Sequence, residues 1–181
     1  MMNRFANAAA LLAILTLPML AQDVAGKKAP SVTMQTPGVA TVMRGKANSV
    51  ELRFRVGTGF HINSNKPSAD YLIPTTLKLD TPTDLVVGKI TYPPGQESSF
   101  AFAPEEKLSV YSGDFTLTVQ VRPLSTVLPG KYEFRGELKY QACDNAACYP
   151  PKKLPIQFEV KVVKTPPPHH GPPPQSPHTH G

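Results

Sequence analysis

Two cysteines are the scarcest reactive side chains in the sequence, and they lie close together in Tyr140-Gln-Ala-Cys143-Asp-Asn-Ala-Ala-Cys148-Tyr-Pro-Pro151. Four intervening residues let the chain double back far enough for a disulfide, and Asp144-Asn145 suits the turn. Three chemistries are open to such a pair: a structural staple, a redox-active pair, or part of a metal site. A staple stabilises most when it closes a long loop, and this loop is short. A redox pair wants short spacing, because one sulfur must resolve the mixed disulfide formed by the other. A zinc site needs about four ligands, and the segment expected to fold offers only Cys143, Cys148 and His61, so the metal reading ranks last. No histidine adjoins either cysteine in sequence, and no helix start is evident that would lower a thiol pKa. Asp144 disfavours a thiolate at Cys143, whereas Lys152 and Lys153 follow Cys148. The redox reading is therefore of a pair that exchanges with a docked partner, without a cofactor, since the sulfurs themselves carry the electrons.

The other histidines lie elsewhere. His169, His170, His178 and His180 fall in residues 165–181, a segment with seven prolines and little to bury. It reads as an extended, disordered Pro/His-rich tail. Loose binding of copper, nickel or zinc by its imidazoles makes a metal-handling protein a further alternative.

The N-terminus carries one charge, Arg4, before Asp23, with an apolar run over residues 8–17 followed by Pro18 and Ala21. A run of this length fits an export signal better than a membrane span, which needs about 20 apolar residues. Residues 1–21 are expected to be a signal peptide and 22–30 a linker. Met19 is larger than the usual residue two places before a cleavage site, which leaves a retained anchor as the alternative. The mature chain is expected to be periplasmic or secreted, with no membrane span after signal cleavage. In that oxidising setting the default state of the cysteine pair is a disulfide.

The elements that must hold the cysteines are strands. Across 181 residues, 40% hydrophobic content excludes wholesale disorder, and 21 prolines disfavour a mainly helical protein. The net charge of +6 comes from scattered basic residues, so no nucleic-acid partner is expected. Val50, Leu52, Phe54 and Val56 alternate with Glu51, Arg53 and Arg55. The same period of two runs through residues 115–121, 132–140 and 156–162, and shorter candidates are 39–43, 72–79 and 85–92. Strict alternation puts one face on a core and the other in water. Seven or so strands and no long helix predict an all-β fold over residues 31–164, an immunoglobulin-like antiparallel β-sandwich. Three segments break the alternation: 59–67, 93–111 and 142–155. Site chemistry is sought there, since a sandwich by itself specifies no function.

The cysteine segment, together with Gly59-Phe-His-Ile-Asn-Ser-Asn65, Ile73-Pro-Thr-Thr-Leu77, Tyr92-Pro93 and Val110-Tyr111-Ser-Gly113, resembles the N-terminal periplasmic domain of the thiol:disulfide interchange protein DsbD family over residues 32–163. The resemblance implies an immunoglobulin-like fold and a disulfide relay with periplasmic thioredoxin-like or disulfide isomerase proteins. It also implies that Cys148 engages partners and Cys143 resolves. The family shields its pair with an aromatic cap loop, whose counterpart here falls in residues 98–104, with Phe100 or Phe102 as the shield. Burial of both rings under the sandwich edge is the plainer alternative. The cysteines are closer in sequence than in the best-known members, and family tyrosines are replaced around His61 and Asn63. The chain has no thioredoxin-type Cys-x-x-Cys and no membrane relay, so its reductant is expected to be a separate membrane protein. The competing reading is a non-catalytic β-sandwich binding module whose disulfide only pins a loop.

Overall fold

The computed structural model describes residues 31–164. The expected signal peptide, linker and Pro/His-rich tail lie outside the described residues. Within them are twelve strands and no helix: β1 Val32–Met34, β2 Ala40–Met43, β3 Asn48–Val56, β4 His61–Asn63, β5 Thr76–Asp80, β6 Leu85–Thr91, β7 Gln96–Phe100, β8 Ala103–Tyr111, β9 Asp114–Pro123, β10 Gly130–Tyr140, β11 Ala142–Cys143 and β12 Lys152–Val163. They form three four-stranded sheets, ordered β1-β3-β9-β6, β2-β12-β10-β5 and β11-β4-β8-β7. Every pairing is antiparallel except β2 with β12. This is an immunoglobulin-like β-sandwich.

The alternating segments build the first two sheets, as their pattern requires. Val50, Leu52, Phe54 and Val56 of β3 are buried, as are Phe115, Leu117, Val119 and Val121 of β9. Phe134 and Leu138 of β10 join Ile156, Phe158, Val160 and Val162 of β12 in the same core. Phe134 lies directly opposite Phe158, with ring centroids 4.9 Å apart. Each such side chain stabilises by about 1.5–3 kcal/mol through burial, which makes these two sheets the rigid part of the molecule. The intervening charges point outward. Arg55 holds Asp114 through two hydrogen bonds of 2.6 and 2.8 Å on the exposed face.

The strand count exceeds the sequence expectation because the short β1 pairs with β3 and because the three segments that break the alternation are themselves paired. Residues 59–67 contain β4, 93–111 contain β7 and β8, and 142–155 contain β11 and the start of β12. β4 is buried at all three positions, His61, Ile62 and Asn63, so it cannot alternate. The expected strand over 72–79 begins only at Thr76.

Close sheet packing explains Gly136, which stands on the inward face of β10 opposite Leu79 of β5. A Cβ there would lie 2.1 Å from the Lys78 carbonyl oxygen and 2.9 Å from Leu79 Cα. The obstacle is backbone and cannot swing away. Gly136→Val should therefore destabilise the domain by about 3 kcal/mol, the upper part of the usual overpacking range. An unchanged urea midpoint would show that β5 can move aside.

Candidate functional site

The cysteines lie at the end of the longest ladder in the molecule. β10 and β12 pair continuously from Gly130↔Val162 to Tyr140↔Lys152, and residues 141–151 connect them. Within that connection Cys143 and Cys148 face each other across an antiparallel bridge and form a disulfide, with Cα atoms 3.9 Å apart. Hydrogen bonds flank the pair on both sides, Tyr149 N–H donating to the Ala142 carbonyl and Asp144 N–H to the Ala147 carbonyl, each at 2.9 Å. The turn closes through Asp144, whose Oδ1 accepts the amides of Ala146 and Ala147 at 2.8 and 2.9 Å. Its Oδ2 accepts the Tyr149 hydroxyl at 2.6 Å, which raises the Tyr149 phenol pKa. The turn residues Asp144-Asn145 thus act as the sequence suggests, with the Asp144 carboxylate supplying the local acceptor that such turns use.

The two sulfurs occupy different surroundings. Cys143 is fully buried, whereas Cys148 is exposed. Cys148 lines a shallow apolar depression of about 220 Å³ with Tyr71, Leu72, Phe102, Gln141 and Ala147. Electrostatics distinguish the two less than the sequence suggests. The ammonium of Lys153 lies 2.9 Å from the Glu137 carboxylate, so its charge is already engaged.

Behind the disulfide stands β4. Ala142 pairs with Ile62 and Cys143 with His61, while β4 continues to β8 through Ile62↔Tyr111 and Asn63↔Val110. The buried Asn63 side chain donates to the Ile73 carbonyl at 3.0 Å and to Gln141 Oε1 at 3.2 Å. Gln141 Nε2 in turn donates to the Tyr149 carbonyl at 3.2 Å. Thr75 completes this support by donating its hydroxyl to the Asn63 carbonyl at 2.6 Å. One polar network therefore ties both arms of the cysteine hairpin to β4 and to the segment before β5.

Phe100 and Phe102 sit at the tip of the β7–β8 hairpin, in a strand pair where the sequence reading placed a loop. Phe100 stacks on the His61 ring with centroids 3.7 Å apart, and Phe102 lies 5.6 Å from Phe100 in a nearly parallel plane. The backbone amide of Ala101 between them donates to Asn145 Oδ1 at 3.4 Å, so this tip touches the cysteine turn. Both rings are half-buried and also pack on a satellite cluster of Leu72, Leu108 and Val110. Both rings are thus partly buried at the sandwich edge, and Phe102 also borders the depression that Cys148 lines.

Sequence reasoning named His61 as a lone possible ligand and as standing where family tyrosines are replaced, but gave it no part in the exchange; it adjoins no cysteine along the chain and opposes Cys143 across the sheet. It is 5% exposed, and burial pushes its pKa down to about 4 against the opposing influence of Asp144. The imidazole is therefore neutral at pH 7. Its position in a segment quoted for the family resemblance was a signal, but strand pairing over such a sequence distance leaves no local mark. Among the described residues no group of three or more His, Cys, Asp or Glu side chains forms a metal cluster, and no helix is long and apolar enough to cross a membrane.

A β-sandwich carrying a disulfide at a hairpin tip, with one sulfur exposed and one buried, has the parts that thiol–disulfide exchange requires, an accessible sulfur and a neighbour to resolve it. The sequence model of the family described as thiol:disulfide interchange protein DsbD, N-terminal, matches residues 31–159, and the chain belongs to that family. Among solved structures, the reduced N-terminal domain of Neisseria meningitidis DsbD is 22% identical, covering 65% of this chain and 80% of that one with a TM-score of 0.40. The seventh ScaB type I cohesin from Pseudobacteroides cellulosolvens is 17% identical, covering 77% of this chain and 97% of that one with a TM-score of 0.46. No curated protein matches the sequence.

Proposed function

We propose that residues 31–164 are a periplasmic or secreted electron-transfer domain that exchanges its Cys143–Cys148 disulfide with thioredoxin-like or disulfide isomerase proteins, and that a separate membrane protein supplies its electrons. The observation that carries this reading is the inequality of the two sulfurs, Cys148 exposed beside an apolar depression and Cys143 buried behind it. Exchange begins when a thiolate attacks a disulfide sulfur, and its rate depends on access. Cys148 is therefore the sulfur that forms the mixed disulfide, and Cys143 the one that resolves it. With the chain reduced and the partner oxidised, the Cys148 thiolate attacks the partner's disulfide, bonding to one partner sulfur as the partner's own S–S bond breaks and its other sulfur leaves as thiolate. Cys143 then attacks Cys148, the internal disulfide re-forms, and the partner leaves with both electrons. Run in reverse, the same steps load the domain from its reductant.

The reduction potential tests the reading. Structural disulfides of secreted proteins typically lie below about −300 mV, whereas exchanging pairs are more oxidising. Equilibration of the purified chain in graded dithiol buffers should place Cys143–Cys148 well above that limit. A potential below it would make the bond a staple and the domain a binding module.

A further inference from the structure

The resolving step just proposed has a difficulty that the site itself answers. Cys143 must act as a thiolate to attack Cys148, yet it is fully buried, and burial in apolar surroundings raises a thiol pKa. Water cannot readily take its proton. Asp144 beside it is negative and opposes a thiolate.

His61 is placed to solve this. It opposes Cys143 in the β4–β11 pairing, and opposed residues of antiparallel strands carry their Cβ atoms about 4.5–5.5 Å apart on one face. Its Nε2 is buried and has no hydrogen-bond partner. Buried polar atoms are rarely left so, and an orphan at a redox site calls for a reason. Phe100 stacked at 3.7 Å fixes the ring plane. Two residues further along the strand, Asn63 is held by Ile73 and Gln141, so β4 itself is anchored.

We propose that His61 is the proton acceptor for Cys143 during resolution, its Nε2 taking up the Cys143 S–H in the reduced chain. This inference rests on the exchange reading above. In the mixed disulfide, the Cys143 proton moves to His61 as the Cys143–Cys148 bond forms and the bond from Cys148 to the partner sulfur breaks. The two cysteine sulfurs are oxidised and the partner's disulfide is reduced. The proton then leaves the imidazolium for the departing partner thiolate. Burial lowers the imidazole pKa to about 4, which leaves its lone pair unprotonated at pH 7 but makes it a weak base, so it acts only as the bond to Cys148 forms and the thiol proton becomes acidic. The developing imidazolium faces Asp144 from the cysteine hairpin, which favours its charge, and the neutral Phe100 ring from the β7–β8 hairpin.

The test reads the two cysteine steps separately. Reduced protein is mixed with a bis(carboxynitrophenyl) disulfide, whose coloured thiol is released once when Cys148 is modified and again when Cys143 displaces it. His61→Phe keeps a ring against Phe100 and removes the base, while His61→Gln keeps polarity without a base. Each variant should lower the ratio of second-phase to first-phase rate about tenfold, less than the roughly hundredfold or more of a well-tuned general base, because so weak a base contributes less. If both phases slow equally, His61 serves packing alone and the proposal is overturned. An unchanged ratio in either folded variant overturns it as well, while leaving the exchange reading intact. Absence of any second phase in the unaltered protein would sink the exchange reading, and this inference with it.

Discussion

Reduced Cys143→Ser protein, mixed with an oxidised thioredoxin-like protein, accumulates a covalent one-to-one complex, and Cys148→Ser traps far less. The expectation follows from the geometry of the pair. Cys148 is exposed and shares its depression with Tyr71, Leu72 and Phe102, so a partner sulfur can reach it. Removing Cys143 leaves the mixed disulfide with no neighbour to break it. Removing Cys148 leaves a sulfur that is fully buried, and exchange at such a sulfur should be slower by roughly a hundredfold or more, because rates depend on access and thiolate fraction. Non-reducing electrophoresis of the two mixtures decides the matter. If neither variant traps a partner, the disulfide is structural. If Cys148→Ser traps and Cys143→Ser does not, exchange stands and the roles are reversed.

The second large effect concerns the aromatic hairpin tip. Replacing Phe100 and Phe102 together with alanine should speed reduction of the disulfide by a small thiol about tenfold or more, since access to sulfur governs the rate. Phe100 covers the His61 ring that backs Cys143, and Phe102 forms part of the depression around Cys148. The Ala101–Asn145 hydrogen bond ties the same tip to the cysteine turn. Stability should also fall, by about 2–4 kcal/mol for the pair, less than for two fully buried phenylalanines. That loss arises because both rings pack on Leu72, Leu108 and Val110. Reduction rates that stay unchanged in the folded double variant would leave the rings with a packing role only.

The parts of the fold that were legible from sequence are those whose physics is local. β3, β9, β10 and β12 each bury one face, so alternation marks them within a few residues of their ends. β4 and β11 leave no such mark, being two or three residues long and buried throughout. β8 begins with exposed Pro104, Glu105, Glu106 and Lys107, and buries only its second half, so its pattern is too short to recognise. The segment before β5 looks strand-like from Leu72 onward. The backbone of Ile73 instead bonds to side chains, its carbonyl accepting from Asn63 Nδ2 at 3.0 Å and its amide donating to Gln141 Oε1 at 3.4 Å. For the site, cysteine type and spacing were enough to locate the pair. The position of His61 was not legible, since it depends on β4 lying between β11 and β8.

The shortness of the cysteine loop links redox chemistry to folding through a thermodynamic cycle. The bond joins residues five apart in sequence, so closing that loop in the unfolded chain costs about 2 kcal/mol of chain entropy. The folded hairpin already holds the two strands together and largely avoids that cost. The same free energy must appear twice: as extra stability of the oxidised fold, and as a lowering of the potential relative to the unfolded peptide. About 2 kcal/mol corresponds to roughly 45 mV for a two-electron couple. Folding thus shifts the pair only modestly, which leaves it within reach of other dithiols. The converse also holds: reducing the bond should cost the folded domain about 2 kcal/mol of stability, a shift that chemical denaturation of the oxidised and reduced chains would read directly.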